Sequence, residues 1–198
     1  MEFLFLVIIL IISVVIHEVS HGYAALALGD HTAEYQGRLT LNPISHLDPI
    51  GSILVPLIGI LTGGFIIGWA KPVPYNPYNL KNQRWGEALV AVAGPASNIL
   101  IAIIFGIIIR ASVGHVFISL AASIVFLNLT LAFFNLVPIP PLDGSKILFS
   151  FIPLKNQGFR DTLERFGFWG VLIFIFILWP FLSPVIDYFF VLITGLQL

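Results

Sequence analysis

The chain contains no cysteine, which excludes disulfides, thiolate metal ligands and cysteine nucleophiles. Any metal site must draw on His, Asp, Glu or Asn. Charge is nearly as scarce: only 10% of the 198 residues are charged, where a soluble domain carries about 25%. With 58% hydrophobic residues and a mean hydropathy of +1.01, the composition is that of an integral membrane protein. No linker sets off a soluble domain, so residues 1–198 read as a single membrane-embedded domain. The net charge of −1 lacks the basic excess of a nucleic-acid binder, and no nucleic-acid partner is expected. The start also lacks the basic residues of a secretory leader. Glu2 stands there instead, and the nearest small-residue cleavage pattern, Ala25 to Ala27, falls beyond the motif described below. The first apolar run is therefore expected to be retained.

What is present is a series of long apolar segments: Phe3–Leu28, Ile50–Trp69, Trp85–Arg110, His115–Leu136, Gly167–Trp179 and Phe181–Leu198. A membrane-spanning helix needs about 20 apolar residues, which the first, third and fourth supply. Additional C-terminal helices are expected over about 163–198. Thr32–Leu41, with Gly37 and Arg38 near its centre, reads as a short β-hairpin or edge strand. Ala70–Asn82 reads as a structured loop. The fold class is thus an all-α polytopic membrane protein with a short hairpin.

Ile50–Trp69 is unlike the other segments. Gly51, Pro56, Gly59, Gly63, Gly64 and Gly68 make it a poor straight helix, and a re-entrant course is expected. Under that parse Arg38, Lys71, Lys81, Arg84, Lys146, Lys155, Arg160 and Arg165 share one side of the membrane, with Arg110 alone opposite. This is a cleaner positive-inside pattern than a full span gives.

Within the first apolar segment stands His17-Glu18-Val19-Ser20-His21. Histidines four apart share one face of a helix and can reach a single Zn²⁺, while the intervening glutamate can serve as general base toward a water that the metal polarises. Ionisable side chains in a membrane helix are costly and are kept for function. A catalytic zinc takes three protein ligands, so a third is required. Asp143 is the best candidate. It follows Asn135-Leu136-Val137-Pro138-Ile139-Pro140-Pro141-Leu142, where three prolines in four residues break the fourth segment. Broken backbone at membrane depth is tolerated only when buried in protein or lining a wet cavity. The bland reading is a proline-broken helix followed by a capping aspartate. Bringing the C-terminal ends of the first and fourth segments together requires an even number of intervening crossings, which the re-entrant parse supplies.

HEVSHG (17–22), AGPASN (93–98) and FNLVPIPPLDG (134–144), in this order, resemble the site-2 protease family of intramembrane zinc metalloproteases. The likeness covers most of the chain and is to the compact branch without PDZ or CBS domains. It implies a three-helix catalytic core (about 3–28, 85–110 and 115–136, with a broken extension to 150). It also implies one Zn²⁺ held by His17, His21 and Asp143, Glu18 as the catalytic glutamate, and regulated proteolysis of transmembrane protein substrates in the lipid bilayer. The protein is expected in the cell membrane as a multi-pass chain, its active site toward the cytoplasm so that water can reach the metal.

Other residues admit two readings. Asn135 can donate to the oxyanion of a tetrahedral intermediate or to the substrate backbone, or make an interhelical hydrogen bond. Asn98 can bond a ligand histidine from behind or serve packing, and for Asn128 the structural role is favoured. His46 and Asp48, within Asn42–Pro49, form either an accessory metal, proton or substrate-binding cluster or a capped turn. Lys71 lines a water entrance or snorkels to the interface. A transporter with broken helices, or a catalytically silent membrane zinc protein, is the alternative to an enzyme.

Overall fold

The computed structural model describes residues 2–61, 68–111, 115–152 and 179–197, with isolated positions between 158 and 177. Helix α1 runs Glu2–Ala27. Its 26 residues reach about 39 Å, enough to cross a hydrocarbon core of about 30 Å. It ends where Gly29, at φ +102°, turns the chain. Gly29 N–H donates to the Leu26 carbonyl and Asp30 N–H to the Ala25 carbonyl, both at 2.9 Å, the paired bonds of a Schellman cap.

A four-residue helix, α2 (Thr32–Tyr35), follows, and here the structure corrects the sequence reading. Thr32–Leu41 forms no hairpin, and no strand occurs among the described residues. The Asp30 carboxylate accepts from the Thr32 N–H at 3.2 Å and its hydroxyl at 2.6 Å, which sets a helical turn going. Gly37, at φ +62°, closes that turn: its N–H meets the Glu34 carbonyl and the Arg38 N–H meets the Ala33 carbonyl, each at 2.9 Å. The glycine that reads as a hairpin turn in sequence is a helix cap in space.

A 3₁₀ turn (Pro43–His46), a π-helical turn (Pro49–Leu54) and helix α3 (Val55–Leu61) come next. The described part of Ile50–Trp69 is thus helical as far as Leu61, by itself too short to cross a membrane. Its expected re-entrant course is not carried by these residues, and 62–67 lie outside them. Trp69 N–H donates to the Gly51 carbonyl at 3.1 Å and the Ser52 hydroxyl to the Trp69 carbonyl at 2.8 Å.

Helices α4 (Gly86–Ala111) and α5 (His115–Asn135) complete three helices long and apolar enough to span a bilayer. Beyond the proline run lies α6 (Asp143–Phe151), and near the end α7 (Trp179–Thr194). The rest of the expected C-terminal helical region, about 163–178, falls mostly outside the described residues. Helix α4 runs antiparallel to α1 and α5 between them. Ala102, Ile109, Ala121, Val125, Leu129, Ile186 and Phe190 from α4, α5 and α7 pack into one buried cluster. Small residues let these helices close on one another; a Cβ at Gly106 would collide with the Ile193 side chain. Outward faces stay apolar, with Leu4, Ile8, Ile12, Ile104 and Ile107 exposed, as lipid rather than water would permit.

Candidate metal centre

Positions 17 and 21 face the same way because a helix advances 3.6 residues per turn. Both imidazoles turn inward from α1 toward α4 and are buried, as is Asp143 at the start of α6. His17 Nε2 and His21 Nε2 lie 3.0 Å apart, and Asp143 Oδ2 lies 3.1 and 3.2 Å from them respectively. Ligand atoms about 2.0–2.1 Å from a tetrahedral zinc are separated by about 3.3 Å, so the triangle has nearly the right edge. Among the described residues these three make up the group able to hold a metal ion.

The far ring nitrogens test the fit further. His21 Nδ1–H donates to the Val90 carbonyl at 2.7 Å, and His17 Nδ1–H donates to Asn98 Oδ1 at 2.6 Å. With Nδ1 carrying the proton in each neutral ring, both Nε2 atoms present lone pairs to the carboxylate oxygen and to each other. Three acceptors at this spacing repel unless a cation lies among them, so the donor set fits zinc. Gly94 fits it too: a Cβ there would run into His21 Nε2 and, at 2.6 Å, His17 Nε2. The rings approach α4 where it has no side chain.

Behind His17 the network continues. Asn98 Nδ2 donates to Asn128 Oδ1 at 2.9 Å, and Asn128 Nδ2 donates to the Ser13 hydroxyl at 3.0 Å. Asn98, Asn128 and Ser13 are all buried, and the direction of these bonds fixes which amide atom Asn98 shows to His17. Asn98 therefore backs a histidine, and Asn128 backs Asn98.

Glu18 is half-buried beside the cluster, and its Oε2 accepts from the Val73 N–H at 2.8 Å. Asn135 makes a bond within its own helix rather than between helices. Its Nδ2 donates to the Leu131 carbonyl, one turn back in its own helix, at 2.9 Å. His46 and Asp48 form a capped turn: His46 Nε2–H donates to the Thr40 carbonyl at 2.8 Å, and Asp48 Oδ1 accepts from the Ile50 and Gly51 N–H groups at 2.9 and 2.8 Å. Lys71 is exposed, and its backbone N–H donates to the His46 carbonyl at 2.8 Å.

Sequence reasoning missed Lys146. Its ammonium stands 3.9 Å from Asp143 Oδ1 and 5.2 Å from the centre of the Tyr75 ring. The i,i+3 spacing from Asp143 was the available signal, whereas Tyr75 comes from a distant loop.

The profile of peptidase family M50 matches residues 107–178, which include Asp143 and its proline run. The Bacillus subtilis (strain 168) protein named "Putative zinc metalloprotease YwhC" is 40% identical over 195 residues, covering 90% of this chain and 86% of that one. Proteins called Rip2, named in the same words, are 33% identical in Mycolicibacterium smegmatis and 29% identical in Mycobacterium tuberculosis (strain H37Rv). Each alignment covers 91% of this chain and 67% of the relative. No solved structure matches significantly. Kinship at 40% identity across nearly the whole length, in a chain with three helices fit to cross a bilayer, makes this multi-pass membrane protein a member of peptidase family M50, the site-2 protease family.

Proposed function

We propose that the protein is a zinc-dependent intramembrane endopeptidase that hydrolyses peptide bonds within or near transmembrane segments of membrane-protein substrates, in regulated intramembrane proteolysis. The observation that carries this reading is the convergence of His17 Nε2, His21 Nε2 and Asp143 Oδ2, with both far ring nitrogens already engaged.

In this reading His17, His21 and Asp143 hold one Zn²⁺ per chain. Bound there, the metal supplies Lewis acidity toward the scissile carbonyl and toward water. Asn98 and the Val90 carbonyl keep the rings in the tautomer that coordinates. Glu18 is held through Oε2 by the Val73 N–H, and its other oxygen takes the proton from water and delivers it to the leaving nitrogen. One hydrogen of the Asn135 amide is held by the Leu131 carbonyl, and its second is the donor that the oxyanion role would use.

His21 and His17 lie six and ten residues before the end of α1, about 9 and 15 Å along its axis, within reach of water from one end. At that end stand Arg38, Lys71, Lys81, Arg84 and Lys146, and at the opposite end of α4 stands Arg110. The positive-inside tendency supports a cytoplasmic site end. A transmembrane substrate hides its peptide bonds in its own helix, so local unwinding precedes the cut.

The test is purification in detergent, zinc quantification, and cleavage of a single-span substrate by wild type and Glu18→Gln. Stoichiometric zinc in both, with cleavage reduced about 10²–10⁴-fold in the variant, is expected for loss of a general base. Equal cleavage by both overturns the role of Glu18. Zinc without cleavage by either leaves a silent zinc protein, and no zinc in either removes the metalloprotease reading.

A further inference from the structure

Arg38 is buried at 8% exposure, yet no carboxylate pairs with it among the described residues. Its Nε has no hydrogen-bond partner there either. Burying a guanidinium is costly unless something compensates it. What Arg38 does bind is backbone: Nη2 donates to the Lys71 carbonyl at 3.0 Å and the Pro72 carbonyl at 3.3 Å. The Pro72 carbonyl and the Val73 N–H belong to one planar peptide group, and that N–H is the donor to Glu18 Oε2 at 2.8 Å. A cation on the oxygen of a peptide strengthens donation from its nitrogen, because hydrogen bonds in a chain polarise one another.

The packing serves the same chain of bonds. Val73 is buried against Gly22, one turn beyond Glu18, where an added Cβ would meet Val73 Cγ1 at 2.9 Å. The 71–73 backbone is thereby pressed onto α1 at the level of the glutamate. The Lys71 N–H, bonded to the His46 carbonyl at 2.8 Å, ties the other end.

We infer that Arg38 is a positioning residue for Glu18, acting through the Pro72–Val73 peptide to fix the orientation of that carboxylate beside the metal ligands. The inference rests on the reading of Glu18 as the catalytic base and deepens it. It also gives a purpose to α2 and its glycine cap, which deliver Arg38 to this place.

The experiment compares wild type, Arg38→Gln and Arg38→Lys, each alone and combined with Glu18→Asp, as full chains in detergent. Zinc content, kcat and KM on a single-span substrate, and the NMR shift of the Val73 amide are read. For Arg38→Gln, kcat should fall about 10- to 100-fold, as for a catalytic group held slightly out of place, with KM and zinc unchanged. The Val73 amide proton should move upfield as its hydrogen bond weakens. Arg38→Lys, which keeps the cation but not the fork, should lie between. In the Glu18→Asp background the Arg38 effect should shrink, since residues acting through one another are not additive.

An unchanged kcat, a loss that simply adds to that of Glu18→Asp, or an unmoved Val73 amide overturns the inference. Should Arg38→Gln lose its fold and zinc together, Arg38→Lys decides by the same criteria. If the wild type cleaves nothing, the protease reading falls. The Val73 shift in the Arg38 variants then still upholds or overturns the hydrogen-bond relay, so the two failures are distinguishable.

Discussion

The two ends of the helix bundle are held by different physics. At the site end, His17, Asn98, Asn128 and Ser13 are buried polar groups joined by directional bonds of 2.6–3.0 Å, and His21 is tied to the Val90 carbonyl at 2.7 Å beside the close approach of Asp143. Toward the other end, Ala102, Ile109, Ala121, Val125, Leu129, Ile186 and Phe190 pack without directional demands. Lipid is as apolar as these side chains, so that half is held by close fit rather than by exclusion from water. The contrast teaches that the site end trades packing freedom for fixed ring orientations, while the apolar end supplies the rigid frame against which those orientations are held. Arg110 closes that frame, its Nε and Nη2 donating at 2.7 Å to the Ile193 and Leu192 carbonyls at the end of α7.

Asn98→Ala is the sharpest way to break the polar end without touching a ligand. The His17 ring loses its acceptor and Asn128 its donor. Zinc affinity or cleavage should fall about 10- to 100-fold, measured by competition with a chelator, while the thermal midpoint changes less.

Phe190→Ala should do the reverse. It opens a cavity beside Leu129 and Ile186, and stability should drop by about 1–3 kcal/mol, less than in a water-soluble core because lipid replaces water around the exposed groups. Thermal melting in detergent reads this. Zinc affinity equal to wild type would uphold the division of labour between the ends, and a matching loss of zinc would erase it.

The smallest effect concerns Asp30, in the loop after α1. Burial alone would raise its carboxyl, but hydrogen bonds from Thr32, from the Asn79 side chain and from the Asn76 and Thr32 backbone hold it below the usual value. A depressed carboxylate contributes stability that is fully present above its unfolded pKa of about 3.9 and is lost as pH falls through the lower folded value. Asp30→Asn should therefore flatten the acid side of the stability–pH curve in detergent while leaving zinc binding at neutral pH unchanged. An acid limb identical to wild type would remove Asp30 as a contributor.

Much of the site is legible in sequence because it rests on periodicity and on rare residues in hostile surroundings. His17 and His21 share a face by helical spacing alone, and Asp143 stands out because three prolines isolate it from a regular helix. The long helices follow from apolar length, and α4 and α5 end within a residue or so of the expected bounds. Gly37 was ambiguous because a left-handed glycine suits a hairpin turn and a helix cap equally. Asp30 decides between them by setting a helical turn ahead of it. Asn135 carries the right chemistry in the right motif, but no sequence pattern shows that one of its amide hydrogens is held by the Leu131 carbonyl of its own helix. His46 and Asp48 look like ligands in a string of letters, and in space His46 Nε2 and Asp48 Oδ1 hold the backbone of a turn.

The sequence by itself determined a membrane-embedded helical chain with a two-histidine face, and offered a carboxylate more than a hundred residues away as the best candidate to join it, since hydropathy and helical spacing are local properties. Only the tertiary structure decided that Gly94 clears room for both rings, that Asn98 and Val90 hold their outer nitrogens, and that Arg38 reaches Glu18 through a peptide of a separate loop. Those facts depend on which backbone atoms from distant segments meet, and no local pattern of residue types encodes that meeting.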